Sequence, residues 1–206
     1  MSTFKPAPGG KPVTGRKTVM RVFVPESHAA DPQTYVSKAY PSEVARAGGN
    51  FSRAAYQHSM LSVREFEAAR ARTAEINGCI WCKNWRSARD VPAYFDKIGL
   101  KVETVADRGP PPDEAFYAAV NDWRESKIFT PRERIALEYA EGMGLRPKEI
   151  AEDEDFWKRA RALYSDAEII DLTYCLASWI AMGRVTHVLG FDSVCMPSID
   201  AGELVA

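Results

Sequence analysis

Two cysteines three residues apart, Cys79-Ile80-Trp81-Cys82, placed directly behind Asn77-Gly78, constrain this chain more than any other feature. Upstream, Ser62 and Glu65 have the spacing of a capping box, with Leu61 and Phe66 positioned to staple it, so a helix is expected to start at Val63. Ala and Arg fill its body, which favours a helix. Gly78 is expected to end it, since glycine is the usual terminator and Asn also tolerates the left-handed conformation. Cys79 then opens a second helix, which puts both cysteines on one face, within reach of a disulfide. Free amide hydrogens at a helix start stabilise a thiolate, and on helix position alone they favour Cys79. Arg86, one turn past Cys82, adds a fixed positive charge. If the chain reverses at Asn77-Gly78, Glu67 comes level with Arg86 to Arg89. Two thiols, a carboxylate and a guanidinium would then share one cleft.

The pair has three readings: half a zinc site, two inert core cysteines, or a redox-active dithiol. No second CxxC or CxxH follows, and Cys175 and Cys195 stand far off in the sequence, so no metal or cofactor is expected. The helix-start position, with Trp81 and Arg86 adjacent, favours the redox reading. Composition supports the setting. The chain has 206 residues, 46% of them apolar, enough for one sizeable core, and a net charge of -1 gives no electrostatic case for nucleic acid or a membrane surface. No signal peptide is evident, and the longest apolar run, Leu172 to Met182, is too short to span a bilayer. Four cysteines do not make a disulfide scaffold, so a cytoplasmic, reducing location is expected.

Glu67, followed twelve residues later by Cys79 within EINGC and then by Cys82, resembles the alkyl hydroperoxidase D-like branch of the carboxymuconolactone decarboxylase family. The likeness covers Leu61 to Asp90, and Ser165 to Asp192 is similar to the family's long final helix. The resemblance implies an all-α, multi-helix orthogonal bundle that assembles as a trimer or hexamer. It also implies a dithiol that reduces a peroxide: Cys82 attacks, Cys79 resolves, and Glu67 matches the relay carboxylate. The family's relay histidine would fall at Arg86, which cannot exchange protons near neutral pH. His58 and His187 are therefore the candidates for the proton relay.

Residues 1–50 read as an N-terminal arm and loop-rich segment, and 51–206 as the helical domain. Residues 1–18, rich in Pro, Gly, Lys and Thr, are expected to be an arm with almost nothing to bury. Val19 to Val24 could be a short strand, or an extension of the arm lying on another subunit. Short helices are expected at Pro32 to Ala39 and Ser42 to Ala47, and helical turns at Asn50 to Met60. Asp90-Val91-Pro92 reads as a helix start, and Asp113 caps a helix to about Ser126 with Phe116, Val120 and Trp123 on one stripe. Thr130 with Glu133, and Ser165 with Glu168, are further capping boxes. The first should open a helix that breaks at Gly142 and Gly144. The second should open one of about 24 residues that ends at Gly190. One helix is expected within Pro147 to Tyr164, and Phe191 to Ala206 carries no chemical signal.

Three functions compete. The first is a thiol-dependent alkyl hydroperoxide reductase whose electron donor is unspecified. The second is a cofactor-free lyase, decarboxylase or isomerase acting on a small carboxylate, with Arg86 anchoring the anion, Glu67 moving the proton, and Trp81 and Trp85 packing on a ring. The third is a non-catalytic oligomeric module.

Overall fold

Each capping box legible in the sequence starts a helix, because each reciprocal pair satisfies two amide hydrogens that a helix start leaves orphaned. The computed structural model describes residues 19–192. Among these it forms α1 (Pro32–Ala39), α2 (Glu43–His58), α3 (Val63–Asn77), α4 (Ile80–Asn84), α5 (Ser87–Lys97), α6 (Glu114–Ala118), α7 (Pro131–Leu145), α8 (Pro147–Glu152), α9 (Glu154–Leu163) and α10 (Asp166–Leu189), with three short 3-10 turns and no strand. Both halves of the box are made at α3, α7 and α10. The all-α expectation is met. The expected arm over residues 1–18 and most of the expected tail, with Cys195, lie outside the described residues.

α3 sits between α7 and α10, and α2 lies along the other side of α10. Phe66 on α3, Leu137 on α7, Leu176 on α10 and Phe116 on α6 are fully buried in one continuous core. Trp85, Val91 and Phe95 form a second, smaller cluster with Trp81 and Tyr56 against it, and this cluster seats α4 and α5.

Several boundaries differ from the sequence expectations, each for a reason visible in packing. Gly142 and Gly144 do not end α7, which continues to Leu145. They allow close approach instead: a β-carbon on Gly142 would stand 2.6 Å from Ile150 Cγ1, and one on Gly144 3.3 Å from Ile76 Cγ2. α2 runs unbroken through Asn50, capped by Ser42, where two separate pieces were expected. The helix expected within Pro147 to Tyr164 is divided at Asp153, whose carboxylate caps α9 by accepting from Phe156 N. α6 ends at Ala118 rather than near Ser126, although Phe116, Val120 and Trp123 are buried as expected. α5 begins at Ser87 rather than Asp90, because the Asp90 carboxylate reaches back to accept from Arg86 N at 2.7 Å. Val19 to Val24 is not a strand. Arg21 N donates to Leu189 O at 3.1 Å, so this segment lies against the end of the chain's own α10.

Candidate functional site

Gly78, with φ 71°, is the left-handed cap of α3, and the chain turns there into α4. Asn77, read from sequence as part of the break, instead completes α3 and ties it to α10. Its Nδ2 donates to Trp179 O at 2.9 Å and its Oδ1 accepts from Arg184 Nε at 3.2 Å. Cys79 is the N-cap of α4, and its sulfur accepts from Cys82 N at 3.2 Å. The two cysteines are joined as a disulfide, with their Cα atoms 5.3 Å apart. Cys79 is fully buried and Cys82 is half-buried.

Glu67 lies wholly buried behind this turn. Its carboxylate takes a two-pronged ion pair from Arg70, at 2.6 and 2.9 Å, and accepts from Ser87 Oγ and Tyr117 OH, both at 2.5 Å. Arg70 also donates to Cys82 O at 2.6 Å and to Trp85 O at 2.9 Å. The carboxylate on α3 thus holds the end of α4 through the Arg70 guanidinium and the start of α5 through its own bond from Ser87. Burial alone would push the Glu67 carboxyl up. The Arg70 charge, with hydrogen bonds from Arg70, Ser87 and Tyr117, outweighs it and holds the carboxyl below its usual range. Tyr117 is pushed up by burial and by the Glu67 charge, so it remains a donor.

A group that titrates lower in the folded state than in the unfolded chain stabilises the fold above its unfolded value. That contribution fades as pH falls through the folded one. Stability to urea is therefore expected to decline on acidification below the ordinary carboxylate value of 4.5, and Glu67→Gln should flatten that part of the profile. Parallel wild-type and variant profiles would refute this account of Glu67.

The guanidinium expected beside Glu67 was that of Arg86, and here the structure departs from the sequence reading. Arg86 pairs in two-pronged fashion with Glu114, both contacts at 2.9 Å, and its guanidinium lies 3.8 Å from the centre of the Tyr117 ring. Its place beside Glu67 is taken by Arg70, whose position three residues after Glu67 on one helix was legible as a pair. Trp81 and Trp85 were expected to pack on a substrate ring. They pack on each other, with ring centres 5.3 Å apart, and Trp85 is buried against Tyr56. His58 is exposed at the end of α2, where the adjoining Ser59 bonds Asp171 at 2.6 Å. Among the described residues, no hydrogen bond joins it to the cysteine pair.

His187 is brought to the turn before the pair. A β-carbon on Gly78 would stand 3.3 Å from its Nε2, and its Nδ1 bonds Asp192 Oδ2 at 2.8 Å. The same oxygen accepts from Ile80 N at 2.8 Å. Asp192, which joins the histidine to the start of α4, was missed by sequence reasoning, since it falls just past the Gly190 stop in a stretch with no motif. Of the other cysteines, Cys175 is buried in α10, where desolvation pushes its thiol up to about 12, so it is a core residue. A separate cavity of about 430 Å³ lies beneath the Arg132–Glu65 and Arg64–Glu133 ion pairs, away from the cysteines.

No family model matches the chain. An uncharacterized protein of Bacillus subtilis, YdfG, is 23% identical over 124 residues, covering 60% of this chain and 72% of its own length. A crystal structure of an Agrobacterium tumefaciens protein of unknown function, itself put forward as the antioxidant defence protein AhpD, superposes with a TM-score of 0.55 at 25% identity, covering 78% of this chain and 94% of its own. This chain has the alkyl hydroperoxidase D-like fold. Within that fold the cysteine pair lies at the α3–α4 turn, flanked by Glu67–Arg70 on one side and His187–Asp192 on the other. Among the described residues, no helix is long and apolar enough to cross a membrane.

Proposed function

We propose that the protein is a thiol-dependent peroxide reductase in which Cys82 attacks the hydroperoxide and Cys79 resolves the product. The supporting observation is the disulfide itself, with Cys82 half-buried and Cys79 fully buried. Cys82 thiolate takes the terminal oxygen of the hydroperoxide to give a sulfenic acid and an alcohol. Cys79 then displaces that oxygen as water, and a dithiol donor restores both thiols. In this reading Glu67 acts through Arg70, holding the carbonyls of Cys82 and Trp85 in place, rather than by exchanging protons itself. The carboxylate-lyase alternative loses its anchor, because both prongs of Arg86 are engaged by Glu114.

Mass spectrometry of reduced protein after one equivalent of cumene hydroperoxide should show loss of two thiols and formation of the Cys79–Cys82 bond. Thiols that persist would remove the peroxidase reading.

The reading includes assembly with copies of itself. Ile170, Tyr174, Val185 and Val188 form an exposed apolar stripe on the outer face of α10, continued by Phe51 and Val44 on α2. Phe51 and Tyr174 meet edge to face at 6.4 Å. Stripes of this kind are seldom left to water. Light scattering at micromolar concentration should give a multiple of the 23.0 kDa chain mass, and a monomer mass would reject self-assembly.

A further inference from the structure

We propose that the cavity between the starts of α3 and α7 binds a small organic monocarboxylate with an apolar tail, anchored by Arg108. The site does not depend on the peroxidase reading, because the 15 residues of α3 set it about 20 Å from the turn that carries the cysteines.

A repeated local pattern builds the cavity. Ser62-Val63-Arg64-Glu65 opens α3 and Thr130-Pro131-Arg132-Glu133 opens α7, each with an arginine just ahead of its capping-box glutamate. The two helix starts exchange these charges: Arg64 pairs with Glu133 at 2.6 Å, and Arg132 pairs with Glu65. Both arginines are further committed. Arg64 lies 4.8 Å from the centre of the Phe116 ring. Arg132 also bonds Glu168 at 2.6 Å and Leu163 O, and lies over the Tyr164 ring. The crossed pairs brace the two helix ends around a space of about 430 Å³.

Arg108 is the exception. It lines the same cavity from the loop before α6, and its carbonyl accepts from Val63 N at 2.9 Å, which fixes its backbone against the first turn of α3. Among the described residues its side chain makes no hydrogen bond or ion pair, and its Nε is buried without a partner. A buried donor left unmade is costly, and the guanidinium fork is shaped to give two parallel bonds to one carboxylate.

The rest of the lining selects the class of ligand. Ser62 and Thr130 mark two helix starts, whose dipoles favour negative charge. Pro110, Pro131 and Leu163 supply apolar walls for a hydrocarbon tail, and the volume lies in the usual range for small-molecule sites. Glu65 and Glu133 share the lining, so a doubly charged anion such as phosphate meets more repulsion than a single carboxylate does.

The test uses octanoate on the full chain, with calorimetric titration for affinity and hydrogen-exchange mass spectrometry for location. A ligand of about ten non-hydrogen atoms should bind with a dissociation constant on the order of 1 mM. At about 10 mM it should slow exchange in the peptides that carry residues 62–65 and 130–133. Arg108→Gln should weaken binding about tenfold or more and erase that protection, and Arg108→Lys, which keeps the charge but loses the fork, should fall between. Pro110→Glu, at an exposed position on the rim, serves as the second reading if the Arg108 variants do not fold. Its added carboxylate should weaken octanoate about tenfold. No heat and no protection would overturn the proposal, as would protection confined to the apolar stripe of α10 or unchanged affinity in Arg108→Gln. Inorganic phosphate that binds as tightly as octanoate would overturn the carboxylate assignment in favour of a general anion site.

Discussion

Replacing Cys82 with serine is expected to reduce thiol-dependent peroxide consumption by roughly 10³-fold or more, because a nucleophile removed from a two-step mechanism leaves little behind. Cys79→Ser should behave differently. Its half-exposed Cys82 can still be oxidised once, but the resolving sulfur is gone, so a sulfenic acid should persist and be trapped by dimedone as a mass increment on Cys82. The asymmetry follows from the proposed roles, with Cys79 fully buried and Cys82 half-buried. Stopped-flow thiol consumption with both variants checks the order. A Cys82→Ser protein that is oxidised at the wild-type rate, beside an inert Cys79→Ser protein, would reverse the roles in favour of the helix-start thiolate at Cys79.

The largest expected effect on stability is at Arg70. Its side chain and that of Glu67 are almost completely buried, and it bonds Cys82 O and Trp85 O besides the carboxylate. Arg70→Met leaves Glu67 as an uncompensated buried charge and orphans two carbonyls, a change worth about 3–5 kcal/mol. In a chain of this size that corresponds to a fall in melting temperature of about 10 °C. Pairing it with Glu67→Met removes the stranded charge as well, so the double variant should recover a large part of the loss. Calorimetry on the single and double variants measures this. A double variant no more stable than Arg70→Met would show that the carbonyl contacts, rather than the ion pair, carry the cost. If the grip on Cys82 O also sets the pair's geometry, the double variant should regain stability without regaining the wild-type rate of disulfide formation.

How far the site was legible depended on how local each interaction is. The Cys79–Cys82 disulfide and the Glu67–Arg70 pair each span three residues on or beside one helix, so their spacing announces them. The partners that give them meaning come from far along the chain. Tyr117 reaches Glu67 from fifty residues away, Asp192 reaches Ile80 from 112 away, and neither sits in a pattern that a single sequence displays. The misplacement of Arg86 beside Glu67 has the same origin. Helical level put it near the carboxylate, and only the packing of α6 against the turn delivered Glu114 to claim it.

By itself the sequence determined where the main helices begin, because caps and staples are short-range contacts that every copy of the motif satisfies alike. It also put two sulfurs at one helix mouth. Tertiary structure alone decided that Gly142 and Gly144 permit contact instead of ending a helix, that Glu114 claims Arg86, and that His187 and Asp192 arrive at the α3–α4 turn. Those outcomes depend on which helix faces lie against each other, and the net preference for that arrangement is a sum over the whole core that no local stretch encodes.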